Sequence, residues 1–271
     1  MKANVGFIGL GNMGGPMAEN LLAAGFPLTV LDLNPEPMRR LVAAGAKSAT
    51  TPRELAMQSE FICSVVMNDR QTREVMLGPD GVLAGASPNS VILLHSTLSV
   101  AMCRELAAEA KPHRVAVVDA AVSGAAERSR DGTLSLMVGG DPDAIRRCEP
   151  LFDVVGEKIY RLGELGMGQT AKLCNNLMSL VNVHIVEEAL RLARSAGIDE
   201  EKMLEVARAS SGDSWSLRNI ENMRKLAALH TGGEVDMRIF GRKDISLAVK
   251  LSQYLGADTP ITDFVFEQTK R

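Results

Sequence analysis

Three stretches of this 271-residue chain concentrate side chains able to grip an anion or move a proton. Gly166-Met167-Gly168-Gln169-Thr170-Ala171-Lys172-Leu173-Cys174-Asn175-Asn176 carries one amine and two neighbouring amides. Lys172 and Asn176 stand four positions apart, so a helix puts them on one face. Lys172 also sits between Ala171 and Leu173, an apolar setting unlike that of an ordinary solvated lysine. Val118-Asp119-Ala120-Ala121-Val122-Ser123-Gly124 ends in a hydroxyl beside an unencumbered backbone N–H, a suitable grip for a carboxylate. Leu93-Leu94-His95-Ser96-Thr97 is a strand end followed by hydroxyl residues, and strand ends in open α/β sheets border the ligand crevice. His95 is read as a core histidine, and His184, further along the Lys172 helix, as a packing or interface residue.

A fourth stretch concerns phosphate. Val5-Gly6-Phe7-Ile8-Gly9-Leu10-Gly11-Asn12-Met13-Gly14 runs from an apolar strand into G-x-G-x-x-G. A helical segment follows, and then a second strand, Leu28–Leu31, which ends at Asp32. This is the order of a dinucleotide-binding βαβ unit. Gly9 permits the tight turn, Gly11 lets the backbone approach a pyrophosphate, and Gly14 allows close helix packing. The pyrophosphate then meets the N–H groups and dipole of a helix start. Asp32 can accept hydrogen bonds from the adenosine ribose and would repel a 2′-phosphate, while Leu33 and Asn34 supply no cation to hold one. NAD is therefore expected, with NADP left open because Arg39 could reach in.

The elements that must position these residues differ between the two halves. Apolar runs recur at Val5–Ile8, Leu28–Leu31, Phe61–Val66, Val91–Leu94, Val115–Val118 and Leu134–Val138, with amphipathic segments between the first five. That alternation predicts a parallel sheet covered on both faces. From Gly168 to Ala196 apolar residues recur at helical spacing without Pro or a further Gly until Gly197. This predicts one long helix, followed by helices near Glu200–Ala209, Ser214–Leu229, Lys243–Leu255 and Thr262–Lys270. The expected architecture is α/β: a Rossmann-type parallel-sheet domain over residues 1–163, then an all-α domain over 164–271 entered by the long helix and serving substrate binding and dimerisation.

Composition excludes several classes. With 46% hydrophobic residues, the chain can bury a core and is not disordered. Thirty Lys+Arg against 33 Asp+Glu leave a net charge of -3, without the basic surplus of a nucleic-acid binder. Aromatics, at 4%, are too few for base-stacking platforms. Apolar runs are too short for a membrane span and none resembles a signal peptide, so a cytoplasmic protein is expected. Cys63, Cys103, Cys148 and Cys174 show no C-x-x-C spacing and no nearby His, which predicts reduced thiols and no metal site.

Together, in this order, the motifs resemble the β-hydroxyacid dehydrogenase family. Its pattern combines G-F-I-G-L-G-x-M-G-x-P-M-A, D-A-P-V-S-G-G and G-x-G-x-x-x-K-x-x-x-N, and this chain matches from Val5 to about Asp244. The resemblance implies oxidation of a short 3-hydroxy acid, or reduction of its semialdehyde or ketone, with a nicotinamide dinucleotide. Lys172 would be the acid/base, with its pKa lowered beside the bound cofactor. Asn176 would orient the substrate hydroxyl, with neighbouring Asn175 an alternative. Ser123 and Gly124 would hold the carboxylate, with Thr97 between substrate and nicotinamide. Gly9, Gly11, Asn12, Met13, Gly14, Asp32, Val66, Thr97 and Lys243 would contact cofactor. A homodimer or homotetramer is expected.

The chain departs from the pattern in places. Ala121 replaces the family's Pro, Ala125 its second Gly, and His95 a commonly acidic residue. Residues 230–241 fit the family's lid-like segment poorly, leaving Asp236 and Phe240 unassigned. Relatives run further than Arg271, so a C-terminal piece is expected to be missing. Arg128 and Arg130 could serve a second anionic group but read better as a solvated face. The competing functions are an imine reductase, a 6-phosphogluconate-type decarboxylase and a non-catalytic dinucleotide binder. Imine reductases usually replace the lysine, a non-catalytic binder is expected to have lost it, and the decarboxylases have a longer helical domain.

Overall fold

A computed structural model of the chain describes residues 2–230, 237 and 241–270. The elements are β1 (Val5–Ile8), α1 (Gly14–Ala23), β2 (Leu28–Leu31), α2 (Pro35–Ala43), β3 (Lys47–Ser48), α3 (Pro52–Met57), β4 (Phe61–Ser64) and α4 (Asp69–Leu77). Then follow β5 (Val91–Leu94), α5 (Val100–Ala110), β6 (Ala116–Ser123), α6 (Ala125–Arg130), β7 (Leu134–Gly139), α7 (Pro142–Val155), β8 (Gly156–Arg161) and α8 (Met167–Ser195). The remainder is helical: α9 (Glu200–Arg208), α10 (Trp215–Arg218), α11 (Ile220–His230), α12 (Arg242–Leu255) and α13 (Pro260–Gln268). The chain divides into two compact units, Met1–Lys172 and Leu173–Arg271, so α8 up to Lys172 belongs to the first.

The first unit is one eight-stranded sheet in the order β3-β2-β1-β4-β5-β6-β7-β8. Its inner strands β1, β4 and β5 are buried throughout because both faces are covered. Val5, Phe7, Phe61, Cys63, Val91 and Leu93 pack into one core, whereas Ile8, Ile62, Ile92 and Leu94 point into another on the opposite face. The helices start where short polar side chains accept early N–H groups: Asn34 for α2, Thr51 for α3, Asn68 for α4 and Ser99 for α5.

Two strands lie outside the six apolar runs. β3 and β8 flank the sheet and are largely exposed, and their polar residues suit unpaired edges. β6 also runs on past the expected Val118 to Ser123, with fully buried Asp119 inside it. β7 pairs with β6 antiparallel rather than parallel. The intervening α6 has only 6 residues, and a parallel return needs a crossover of about a dozen or more.

In the second unit α8 ends where expected, with Gly197 in the left-handed region at φ 83°. The helix expected over Ser214–Leu229 is instead broken between α10 and α11, where the Asn219 amide donates to the Trp215 carbonyl at 2.8 Å. Arg224 ties three elements, donating to Glu187 of α8 at 2.7 Å, Glu200 of α9 at 2.6 Å and Glu221 of its own helix at 2.9 Å. Among the described residues, no helix is long and apolar enough to cross a membrane, and no group of three or more His, Cys, Asp or Glu side chains could hold a metal.

Candidate active site

β1, β2, β4, β5 and β6 run parallel, so the segments leaving their carboxyl ends share one edge of the sheet. Those segments carry the glycine loop, Asp32, Val66, Thr97 and Ser123. The loop's geometry separates two kinds of glycine. Gly9 has φ 89°, and a Cβ there would lie 2.2 Å from the Val65 carbonyl oxygen; one on Gly14 would lie 2.0 Å from that of Gly9. Both glycines are demanded by the chain itself. A Cβ on Gly11 meets nothing within 4 Å, so its absence serves space outside the fold, which is what a closely approaching pyrophosphate needs. The first turn of α1 holds no acidic residue, and its N-terminus has no side-chain cap. These features fit a dinucleotide phosphate.

The other expected cofactor contacts surround this loop. Gly11 and Asn12 are exposed, and the Met13 carbonyl accepts the Ser129 hydroxyl at 2.7 Å, docking α6 onto α1. Asp32 follows β2 and accepts the Leu10 N–H from the loop and the Asn34 N–H at 2.7 Å. The Val66 N–H donates to the buried Ser96 hydroxyl at 2.8 Å. Thr97, next in sequence, is half-buried.

The end of β6 explains one departure from the family pattern. Gly124 has φ 143°, and a Cβ there would lie 2.8 Å from that of Arg128. Ala125 follows with φ 57°, so this chain keeps the left-handed turn that a second glycine would allow. An alanine costs about 1 kcal/mol or more in that conformation. Ala121 is fully buried opposite Met137, and nothing in the pairing explains its replacing the family's proline. Arg128 pairs with Glu157 at 3.3 Å and Arg130 is exposed, as a solvated face requires.

Two residues that sequence reasoning did not single out hold the start of α8. Asp119 accepts the Gly166 N–H at 2.7 Å and the Gln169 N–H at 2.6 Å. Burial pushes its carboxyl up to about 6, against the pull of these backbone donors. Gln169, fully buried, accepts the Leu98 N–H at 2.9 Å and donates to the Ser96 carbonyl at 2.8 Å. Lys172 lies one turn further and is only 8% exposed. The visible signal was two polar residues inside buried motifs, but neither sequence position reveals its partners. His95 is buried against the Ala120 carbonyl at 2.8 Å, and burial lowers its pKa to about 4, so the ring is neutral and structural.

The second unit brings Asn175, Asn176 and Lys243 together. The Asn176 amide donates to Asp244 at 2.7 Å, and the Asn175 amide donates to the Asn176 oxygen at 3.3 Å. Lys243 lies 3.0 Å from the other Asp244 oxygen. Asp236 and Phe240 lie outside the described residues. His184 is half-buried, and burial lowers its pKa.

Known proteins resemble both parts of the chain. Residues 4–163 match the profile described as the NAD binding domain of 6-phosphogluconate dehydrogenase. Residues 166–271 match that described as the NAD-binding of NADP-dependent 3-hydroxyisobutyrate dehydrogenase. An NAD-dependent L-serine dehydrogenase of Pseudomonas aeruginosa is 34% identical over 263 residues, covering 95% of this chain and 88% of that one. A 3-hydroxyisobutyrate dehydrogenase of the same organism is 34% identical over 264 residues, with the same coverage. Among solved structures, the Mycobacterium tuberculosis 3-hydroxyisobutyrate dehydrogenase with L-serine superposes with a TM-score of 0.84 at 28% identity, covering 98% of this chain and 92% of that one.

Proposed function

The chain belongs to the β-hydroxyacid dehydrogenase family of NAD(P)-dependent oxidoreductases, and on that premise we propose that it interconverts a short 3-hydroxy acid and its semialdehyde or ketone, with NAD as cofactor. The observation that carries this reading is Lys172, an almost buried amine in the second turn of α8, one turn beyond Gln169, whose amide holds the strand-end loop that carries Thr97.

In the proposed mechanism, bound nicotinamide supplies the hydride acceptor for oxidation and the donor for reduction. Lys172 takes the proton of the substrate hydroxyl as its carbon becomes a carbonyl, and returns it in the reverse direction. The Ser123 hydroxyl and the Gly124 N–H would hold the carboxylate, and Thr97 would stand between substrate and nicotinamide. Asn176, its amide donor held by Asp244, orients the hydroxyl, with Asn175 supporting it. Lys243 would serve the cofactor. L-Serine and 3-hydroxyisobutyrate, named for the relatives, share one outline: a carboxylate two carbons from a primary alcohol.

A screen of NADH production across short 3-hydroxy acids, including these two, tests the assignment. Oxidation of at least one is expected. Reduction of imines with no oxidation across the panel would favour the imine-reductase reading, and dinucleotide binding without any turnover the non-catalytic one.

The subunit arrangement is a second part of the proposal. Met178, Ile185 and Leu192 recur every seven residues on α8 and are 64%, 55% and 73% exposed. A second copy of the chain covers this stripe. Light scattering is expected to give a dimer or tetramer, and Ile185→Glu a smaller species; a monomeric wild type would refute the assignment.

A further inference from the structure

We infer that Gln169 is a positioning residue that sets Lys172 and the Thr97 loop in register, an inference that rests on the acid/base role proposed for Lys172. Its amide uses both ends. The oxygen accepts the Leu98 N–H and the nitrogen donates to the Ser96 carbonyl, the two peptide groups that bracket Thr97. One side chain from α8 therefore dictates the backbone path through Thr97. Ser96 extends the chain, because its hydroxyl accepts the Val66 N–H. Val66, Thr97 and Lys172 lie on three different segments, and the Gln169 amide links the α8 segment to the Thr97 segment directly and, through Ser96, to Val66.

The tie is rigid at its own base. The Gln169 N–H is held by Asp119, which also accepts the Gly166 N–H, so the first turn of α8 is clamped by the carboxylate. A Cβ on Gly139 or on Gly168 would lie 2.7 Å from an Asp119 carboxylate oxygen, so the carboxylate is closely packed from two sides. Gln169 and Asp119 are both fully buried. Both halves of the buried amide are engaged on one loop, so the placement of Gln169 and that of the loop depend on each other. Reaction rates respond steeply to such placement: a displacement of about 1 Å can cost on the order of 10²-fold.

The test is a double-mutant cycle in the full-length protein, with the hydroxy acid that the screen identifies. Gln169→Met keeps the side chain's length and removes both hydrogen bonds. It is expected to lower kcat by roughly 10- to 100-fold, while KM for the hydroxy acid and for NAD changes by less than about threefold. In a Lys172→Ala background the same change is expected to alter kcat by less than about twofold, because Gln169 acts through the amine. Equal losses in both backgrounds would show a merely structural role and overturn the inference. So would near-normal kcat in Gln169→Met when Lys172→Ala is inactive. If Lys172→Ala itself keeps its rate, the acid/base reading fails instead, and the two failures are distinct. Gln169→Glu keeps the shape and the acceptor for Leu98 but sets an acceptor against the Ser96 carbonyl. It is read by the same cycle if the methionine variant does not fold.

Discussion

Lys172→Ala is expected to lower kcat by about 10³-fold, within the range that a positioned general acid/base contributes, while NAD binding by fluorescence titration stays within about threefold. The two readouts separate because the amine is assigned to the substrate's proton, whereas the loop at Gly9, Gly11 and Gly14 carries the phosphates. Lys172 is 8% exposed, so truncation removes packing as well as charge. Lys172→Met controls for that loss: it restores most of the side chain's volume and should be as slow as the alanine variant. Lys172→Arg is expected to fail too, because a guanidinium keeps its proton at any working pH and cannot act as the base. Full activity in the alanine or methionine variant would remove Lys172 from the mechanism. A loss of NAD binding equal to the loss of rate would make it a structural or cofactor residue.

How much of this site could be read in advance depended on how local its physics is. The glycine loop was legible because the demands on Gly9 and Gly14 arise from atoms within a few residues or on the next strand, and they dictate residue type at fixed spacing. The central strands were legible because burial on both faces leaves an uninterrupted apolar run. β3 and β8 were not, since an edge strand can be polar and leaves little periodic trace. The direction of β7 was hidden in the length of α6, whose end the sequence does not mark. Asp119 and Gln169 were the least legible of all. Each is a single polar residue whose partners lie 47 and 50 positions away for Asp119, and 71 and 73 for the Gln169 amide. Such distances set no local period. Ala125 is an intermediate case: the departure from glycine was visible, but only the backbone shows that the left-handed turn persists without it.

The wild-type protein is expected to prefer NAD over NADP by roughly 10²- to 10³-fold in kcat/KM, and Asp32→Asn to erase most of that preference. Asp32 accepts N–H groups from Leu10 in the glycine loop and from Asn34, so its carboxylate is held where the second strand delivers it. A dianionic 2′-phosphate about 5 Å away, at an effective dielectric near 20, would be repelled by roughly 7 kcal/mol before screening. Salt and local adjustment reduce this to about 3–4 kcal/mol, which gives the stated ratio. The two residues that follow Asp32 supply no cation to offset it. Leu33 is 98% exposed and Asn34 is uncharged, while Arg39 is 3.9 Å from Glu36 in an exposed pair. Asparagine keeps the shape but presents a single acceptor oxygen, so NAD efficiency should fall by about 10-fold as one of the two backbone donors loses its partner. NADP efficiency should rise as the charge disappears. The kcat/KM values of both cofactors, measured for wild type and variant at two ionic strengths, decide the matter. A wild-type preference for NADP would mean that a cation, with Arg39 the first candidate, overrides the carboxylate. An Asn variant with an unchanged ratio would mean that Asp32 shapes the glycine loop and leaves selection of the ribose to other groups.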